Sequence, residues 1–148
     1  MSDEASRKRN WCFTLNLSPE YDWQEELRVI EQHPHIKGWV YQLEEAPETG
    51  QLHLQGYCEY SRPIRFGPLH AASPHVHWEP RYASRQAAID YCTKNESRLD
   101  GPFSSSTDWL RETGQVVLQT RIGPDLSFVC TVYHAPRWQL QTIYCDEL

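Results

Sequence analysis

HIKGWVYQLEEAPETGQLHLQGYCEY, residues 35–60, is the clearest local pattern in the chain. Two β-rich segments, 35–45 and 51–60, flank the turn-forming APETG, so together they read as an antiparallel hairpin with a loop longer than a tight turn. Side chains alternate across a strand, so His53 and Gln55 point to one face, ~6–7 Å apart along the chain. Leu54 between them points to the other face, into a core. An isolated His-x-Gln is most often a solvent-facing strand, and its meaning depends on what the rest of the chain brings beside it.

Upstream, WCFTLNL (11–17) is rich in β-formers and runs into Ser18-Pro19. That pair reads as a helix start, with Ser18 as N-cap and Pro19 in the first turn, for a helix of about 12–15 residues stopped by Pro34. Downstream, IRFGPLHAA after Pro63 is a short helix, HVHWEP (75–80) a fourth strand, and ASRQAAIDYCTKN (83–95) a helix capped by Ser84 or begun just before it. A short strand follows near Arg98–Phe103. Hairpins mixed with helices, without repeated βαβ units, predict an α+β sandwich with a central antiparallel sheet. Three segments result: a mobile basic arm (1–10), a folded domain (11–103), and a tail (104–148) that begins with the linker-like SSSTDW. The tail has β-like apolar stretches and no evident partner.

Net charge is −6 and the isoelectric point about 5.6, which excludes wholesale coating of duplex DNA. Basic residues are local instead: Arg7, Lys8 and Arg9 at the start, then Arg62, Arg65, Arg81, Arg85, Lys94 and Arg98. They suit a small groove holding a few phosphates. Five scattered cysteines, odd in number and without a CxxC pair, read as reduced thiols rather than a disulfide framework or zinc site. No apolar run approaches a membrane span and MSDEASRKRN has no signal-peptide core, so a soluble intracellular protein is expected.

The hairpin brings Glu44 beside His53 and Gln55. A carboxylate, an imidazole and an amide oxygen on adjacent strands make a divalent-cation site suited to Mg²⁺ or Mn²⁺ rather than structural zinc. On the later helix Tyr91 and Lys94 stand at i and i+3 and share a face, flanking a buried stripe of Ala88 and Cys92. A tyrosine near a metal can act as nucleophile on a phosphodiester. A free phenol titrates near pH ~10, so it needs help to ionise; the metal would polarise the phosphate, and Lys94 would favour phenoxide or hold a phosphate oxygen.

FTLN (13–16), HLQGY (53–57) and YCTK (91–94), in this order and with LEEAPETGQLHLQGY joining glutamate to histidine, resemble the motifs of circovirus-like replication-initiation (Rep) proteins. These are HUH endonucleases of small circular single-stranded DNA viruses. The resemblance covers residues 10–103 and implies a sheet of about five strands flanked by helices, with RRM/ferredoxin-like topology. It implies Glu44, His53 and Gln55 as metal ligands, Tyr91 as nucleophile and Lys94 as its lysine one turn on. Phe13, Thr14 and Asn16 fall in the motif associated with the structural strand and origin recognition, and Arg62, Arg65 and Arg81 are further candidates for DNA contact. The implied reaction is a nick in a single-stranded origin stem-loop, with Tyr91 linked to the 5′ phosphate and a 3′ hydroxyl left for rolling-circle replication in the host nucleus.

The parent motif's second histidine is Gln55 here, a change that circovirus-like members share. Glu45 is an alternative to Glu44, depending on register; Glu96 reads as solvated. His75 and His77 form a true His-x-His, the weaker candidate pair because nothing like HLQGY surrounds it. Cys58, Cys92, Trp11, Trp39 and Trp78 read as core, with an exposed ring able to stack a base. Full-length relatives carry a GxxxxGK[ST] helicase motif, absent here, which is read as a truncated, spliced, frame-shifted or relict form without ATPase activity. The rival to the enzyme is a silent origin-binding module acting through oligomers or a full-length partner. An RNA-binding domain is weaker, because His53 and Gln55 stand where stacking rings would be needed.

Overall fold

The computed structural model describes residues 7–106, Trp109, and the strands 116–119, 128–134 and 139–145, the last three by backbone alone. The first part runs β1 (Lys8–Asn16), α1 (Trp23–Glu31), β2 (Ile36–Glu45), β3 (Leu52–Ile64), α2 (Phe66–Ala72), β4 (Val76–Pro80), α3 (Arg85–Tyr91) and β5 (Arg98–Ser104). These strands form one antiparallel sheet of order β4-β1-β3-β2-β5. Up to β4 this is the split βαβ arrangement of ferredoxin-like folds, with β5 added beyond β2. The α+β expectation is met.

The hairpin of β2 and β3 pairs Glu44 with His53, Gln42 with Gln55 and Val40 with Tyr57. On β1, Thr14 lies opposite Gln55 and Asn16 opposite His53. Period-two alternation therefore separates two faces. One face carries Trp11, Phe13, Leu15, Leu54, Cys58 and Tyr41, buried beneath Trp23, Leu27 and Ile30 of α1 and Leu69 of α2. The other is half covered: Val40 and Tyr57 pack beneath Ala88, Ile89 and Cys92 around α3, and beneath Trp109. Two glycines let aromatic rings lie flat on the strands. A Cβ at Gly56 would fall 2.1 Å from Phe13 Cζ, and one at Gly38 2.1 Å from the Trp109 indole.

Several boundaries differ from expectation. Strand β1 begins at Lys8, inside the expected arm: Lys8 pairs with Ile64 and Asn10 with Glu59. Ladder hydrogen bonds come from the backbone, so charged side chains at a strand's end do not stop pairing. Helix α1 starts four residues beyond Pro19. Ser18 Oγ accepts from the Glu20 N–H at 3.1 Å in a turn, while Asp22 caps the helix by accepting from the Glu25 N–H at 3.1 Å. Helix α3 is capped by Ser84 as expected but ends at Tyr91, so Lys94 lies beyond it. The linker-like serines dock: Ser105 N–H donates to the Trp39 carbonyl at 3.0 Å and Trp109 is buried. The tail's β-like stretches pair with one another as β6 (Val116–Gln119), β7 (Phe128–His134) and β8 (Gln139–Cys145), a second antiparallel sheet. The expected mobility of residues 1–6 lies outside the described residues.

Overpacking a tight core costs about 1–3 kcal/mol, so Gly56→Ala is expected to lower unfolding stability by that order in urea melts. Phe13→Leu in the same chain should recover part of the loss.

Candidate functional site

Glu44 organises the half-covered face. Its carboxylate is buried, with 2% of the residue exposed. Oε1 lies 3.1 Å from His53 Nε2 and accepts from Ser97 Oγ at 3.1 Å; Oε2 accepts from Gln42 Nε2 at 2.7 Å. Lys94 Nζ donates to both oxygens, at 3.1 and 2.9 Å. Burial alone would raise this carboxyl's pKa, but the hydrogen bonds from His53, Gln42 and Lys94, with the Lys94 charge, override it and hold the group at about 2. The carboxylate is ionised and fully engaged.

Lys94 links this centre to the tyrosine. The turn after α3 is fixed by Cys92 at the C-cap and by Thr93 Oγ1 donating to the Ile89 carbonyl at 2.9 Å. Gln42 Nε2 also donates to the Lys94 carbonyl at 2.9 Å, fastening the turn to β2. Lys94 Nζ then sits 4.0 Å from the centroid of the Tyr91 ring, within cation–π range. Tyr91 is 56% exposed, free of the core. Packing of Ala88, Ile89 and Cys92 on Val40 and Tyr57 holds the helix that carries it. So short a helix is marginal alone and depends on that packing.

The remaining candidates separate clearly. Register sets Glu44 opposite His53, whereas Glu45 pairs with Leu52 and is exposed. Gln55 lies on the His53 face; its Oε1 accepts from Thr14 Oγ1 at 3.1 Å and its Nε2 donates to the Phe13 carbonyl at 3.3 Å. Among the first-motif residues, Thr14 and Asn16 stand on the site's face, whereas Phe13 points into the core and is buried. That corrects its expected part in DNA contact: its ring packs on Gly56 and Trp78. Arg81 lines a groove of about 480 Å³ beside Tyr91, together with Thr14, Gln55, His77 and Glu79. Arg62 and Arg65 are exposed at the end of β3 and at the start of α2, outside that groove. Glu96 is exposed.

His75 and His77 do not act as a pair. His75 Nδ1 lies 2.7 Å from Glu26 Oε2 of α1 and its ring stacks on Tyr21, whereas His77 Nε2 lies 3.0 Å from Glu79 Oε1 on the groove side. Of the tryptophans read as core, Trp11 and Trp78 are buried and Trp39 is half-buried. Cys58 and Cys92 are buried, their thiols pushed up in pKa by desolvation. Two contributors escaped the sequence reading. Gln42 stands two residues before Glu44, a period-two signal present in YQLE; Ser97 carries no signal, because it arrives through a turn.

The donor set fits a hard divalent cation. Glu44 is ionised, His53 is within 3.1 Å of it, and Gln55 is one pleat along the same face. Among the described residues no three of His, Cys, Asp and Glu cluster together, which leaves the Gln55 amide oxygen as the candidate for a third protein donor. The Gln55 oxygen, already accepting from Thr14, keeps a second lone pair. Carboxylate, amide and a single imidazole favour Mg²⁺ or Mn²⁺.

Fold and site together define a ferredoxin-like α+β domain with a buried, ionised carboxylate beside an imidazole and an amide on one sheet face. Residues 8–95, more than half of the chain, match the family model described as putative viral replication protein, and the chain belongs to that family. It is 35% identical over 95 residues to the master replication protein of Faba bean necrotic yellows virus, covering 63% of this chain and 29% of that protein. The master replication protein of Banana bunchy top virus is 36% identical over 93 residues, with the same coverage of 63% and 29%. Para-Rep C1 of Faba bean necrotic yellows C11 alphasatellite is 34% identical over 149 residues, covering 94% of this chain and 50% of that protein. The chain thus spans 29% to 50% of the length of these relatives. Among the described residues no helix is long and apolar enough to cross a membrane.

Because the folded-state pKa of Glu44, about 2, lies below its ordinary 4.5, its contribution to stability is complete above pH 4.5 and lost as pH falls toward 2. A displacement of that size corresponds to at most about 3–4 kcal/mol. Metal-free acid titration followed by denaturant melts should show this decline, and Glu44→Gln should flatten it.

Proposed function

We propose that this chain is a metal-dependent nicking and joining domain for single-stranded DNA, with Tyr91 as nucleophile. Tyr91 Oη attacks the phosphorus of a phosphodiester in a single-stranded origin loop and gives up its proton to solvent. The bond from phosphorus to the 3′ oxygen breaks, that oxygen takes up a proton, and the 5′ phosphate remains esterified to Tyr91. One phosphoester replaces another, so attack by a 3′ hydroxyl reverses the step and rejoins ends. A bound Mg²⁺ or Mn²⁺, held by Glu44, His53 and Gln55, would neutralise charge on the phosphate. Lys94 keeps a positive charge beside the attacking side chain, where negative charge passes during transfer. Thr14 holds the Gln55 amide, and Gln42 holds both the Glu44 carboxylate and the Lys94 turn.

The observation that carries the reading is the bridge made by Lys94: one ammonium contacts the buried carboxylate at 2.9 Å and covers the ring of an exposed tyrosine at 4.0 Å. A packing tyrosine would be buried, and a simple surface one would have no buried ion pair beneath it. Membership in the viral replication protein family supports the same role, and the motifs FTLN, HLQGY and YCTK resemble those of circovirus-like members. Action in the host nucleus is part of the same proposal, and the exposed run Arg7-Lys8-Arg9 is the sequence feature consistent with it.

A second reading has its own observation. Both Glu44 oxygens are engaged by protein donors and both ends of the Gln55 amide are bonded to β1, an arrangement stable without metal. A silent origin-binding module, working through a homo-oligomer or a full-length partner, would keep it so.

Stem-loop oligonucleotides with a randomised loop, incubated with Mn²⁺ and run on a denaturing gel, separate the two. Nicking predicts a protein–DNA adduct, abolished by Tyr91→Phe or a chelator and reduced at least ~100-fold by Glu44→Gln, on the scale of losing an activating group. Retardation in a native gel with no cleavage would establish the silent module instead.

A further inference from the structure

At the other end of the α3 face four cations converge. A recess of about 400 Å³ is lined by Arg9 of β1, Lys37 of β2, Glu59 of β3, Arg81 just after β4, and Arg85 at the start of α3. One acid lies among them. Glu59 is buried: its Oε2 accepts from Arg85 Nε at 2.9 Å and from the Tyr57 hydroxyl at 2.6 Å. The Tyr57 hydroxyl in turn accepts from Arg81 Nη1 at 2.8 Å. The guanidinium of Arg85 also lies 4.9 Å from the Trp109 ring centroid. Glu59 and Tyr57 thus fix two arginines by one edge each, leaving their other N–H groups to the recess. Among the described residues neither Arg9 nor Lys37 meets an acid. In a chain of net charge −6, an uncompensated surplus of three positive charges in one recess is unusual.

Arg81 lines both this recess and the groove of Thr14, Gln55 and Tyr91, so the two are neighbours. From His53 to Glu59 is six residues of β3, ~20 Å of strand, enough for a few nucleotides. Tyr82 stands at the groove's rim, 81% exposed, as a surface on which an unpaired base can stack.

Building on the nicking reading, we infer that the Arg9–Lys37–Arg81–Arg85 recess is a second anchoring site, which binds backbone phosphates of the single strand running from Tyr91 along α3. Its contacts are to phosphate, so it positions the strand without reading sequence. Guanidinium forks pre-oriented by a buried carboxylate are suited to phosphate oxygens.

The test is binding of fluorescent oligo-dT by the full chain carrying Tyr91→Phe, measured by anisotropy across a salt series. Arg9 and Lys37 are exposed, so the double variant Arg9→Ala/Lys37→Ala should melt like the parent. The expected result is binding at least ~5-fold weaker at low salt, with a log–log salt slope shallower by about 1.4, ~0.7 per lost phosphate contact. Arg28→Ala removes a charge from α1 on the opposite face and should leave the slope unaltered. If the double variant binds like its parent, or Arg28→Ala weakens binding as much as the double variant does, the recess is not a phosphate site. If wild type forms an adduct with the loop library while the recess variants keep full affinity, only the recess assignment fails. Absence of both binding and adduct in wild type overturns the nicking reading along with it.

Discussion

A negative charge taken out of water must be surrounded by donors or it will not stay charged. Glu44 meets that condition by drawing donors from three places: His53 across the hairpin, Gln42 on its own strand, and Lys94 and Ser97 from the turn after α3. The last two are fifty or more residues from Glu44 in sequence. Satisfying one carboxylate therefore fixes where the chain goes after α3. That same turn places the Lys94 ammonium over Tyr91. The electrostatic demand of a single buried group thus positions the tyrosine that the proposed chemistry needs.

The sheet makes this possible by being asymmetric. One face is closed by α1 and α2 over a large aromatic and aliphatic core, with Phe13 lying across Gly56. The other is covered only in its middle, by α3 and Trp109, and polar side chains gather at both of its ends. One end holds the carboxylate, imidazole and amide. The other holds the arginines arranged by Glu59. Since α3 sits between them, a strand crossing this face would pass along the helix flank, past Tyr91 and Tyr82. In the proposed reading, cleavage chemistry and strand anchoring lie at opposite ends of one surface.

Much of this was legible in the sequence because it follows from period two. HLQGY alternates a core leucine with polar residues, so His53 and Gln55 share a face, and the APETG loop sets Glu44 directly opposite His53. The hairpin, the second cap at Ser84 and the α+β class came from equally local signals. What failed was governed by choices between competing local signals or by distant contacts. Ser18-Pro19 and Asp22 are both good helix starts, and the chain uses Asp22, whose carboxylate reaches the Glu25 N–H. Lys94 was assigned to the helix by i+3 spacing, yet meets Tyr91 from beyond the helix end. Phe13 sits in a motif but points away from the site, a consequence of alternation within FTLN itself. Trp109 was hidden in a serine-rich segment, since only the bare backbone of Gly38 explains where its indole goes.

The lysine contact gives the account its sharpest consequence. In this structure Lys94 supplies the positive charge that Glu44 requires; in the proposed DNA complex a divalent cation shares that role and Lys94 is available to phosphate. Anomalous-difference density from crystals of the Tyr91→Phe protein grown with Mn²⁺ measures this directly. The account predicts one strong peak bonded to Glu44, His53 and Gln55, with the Lys94 ammonium turned from the carboxylate toward residue 91. A peak elsewhere, or none with the Lys94–Glu44 pair intact at saturating Mn²⁺, would contradict it.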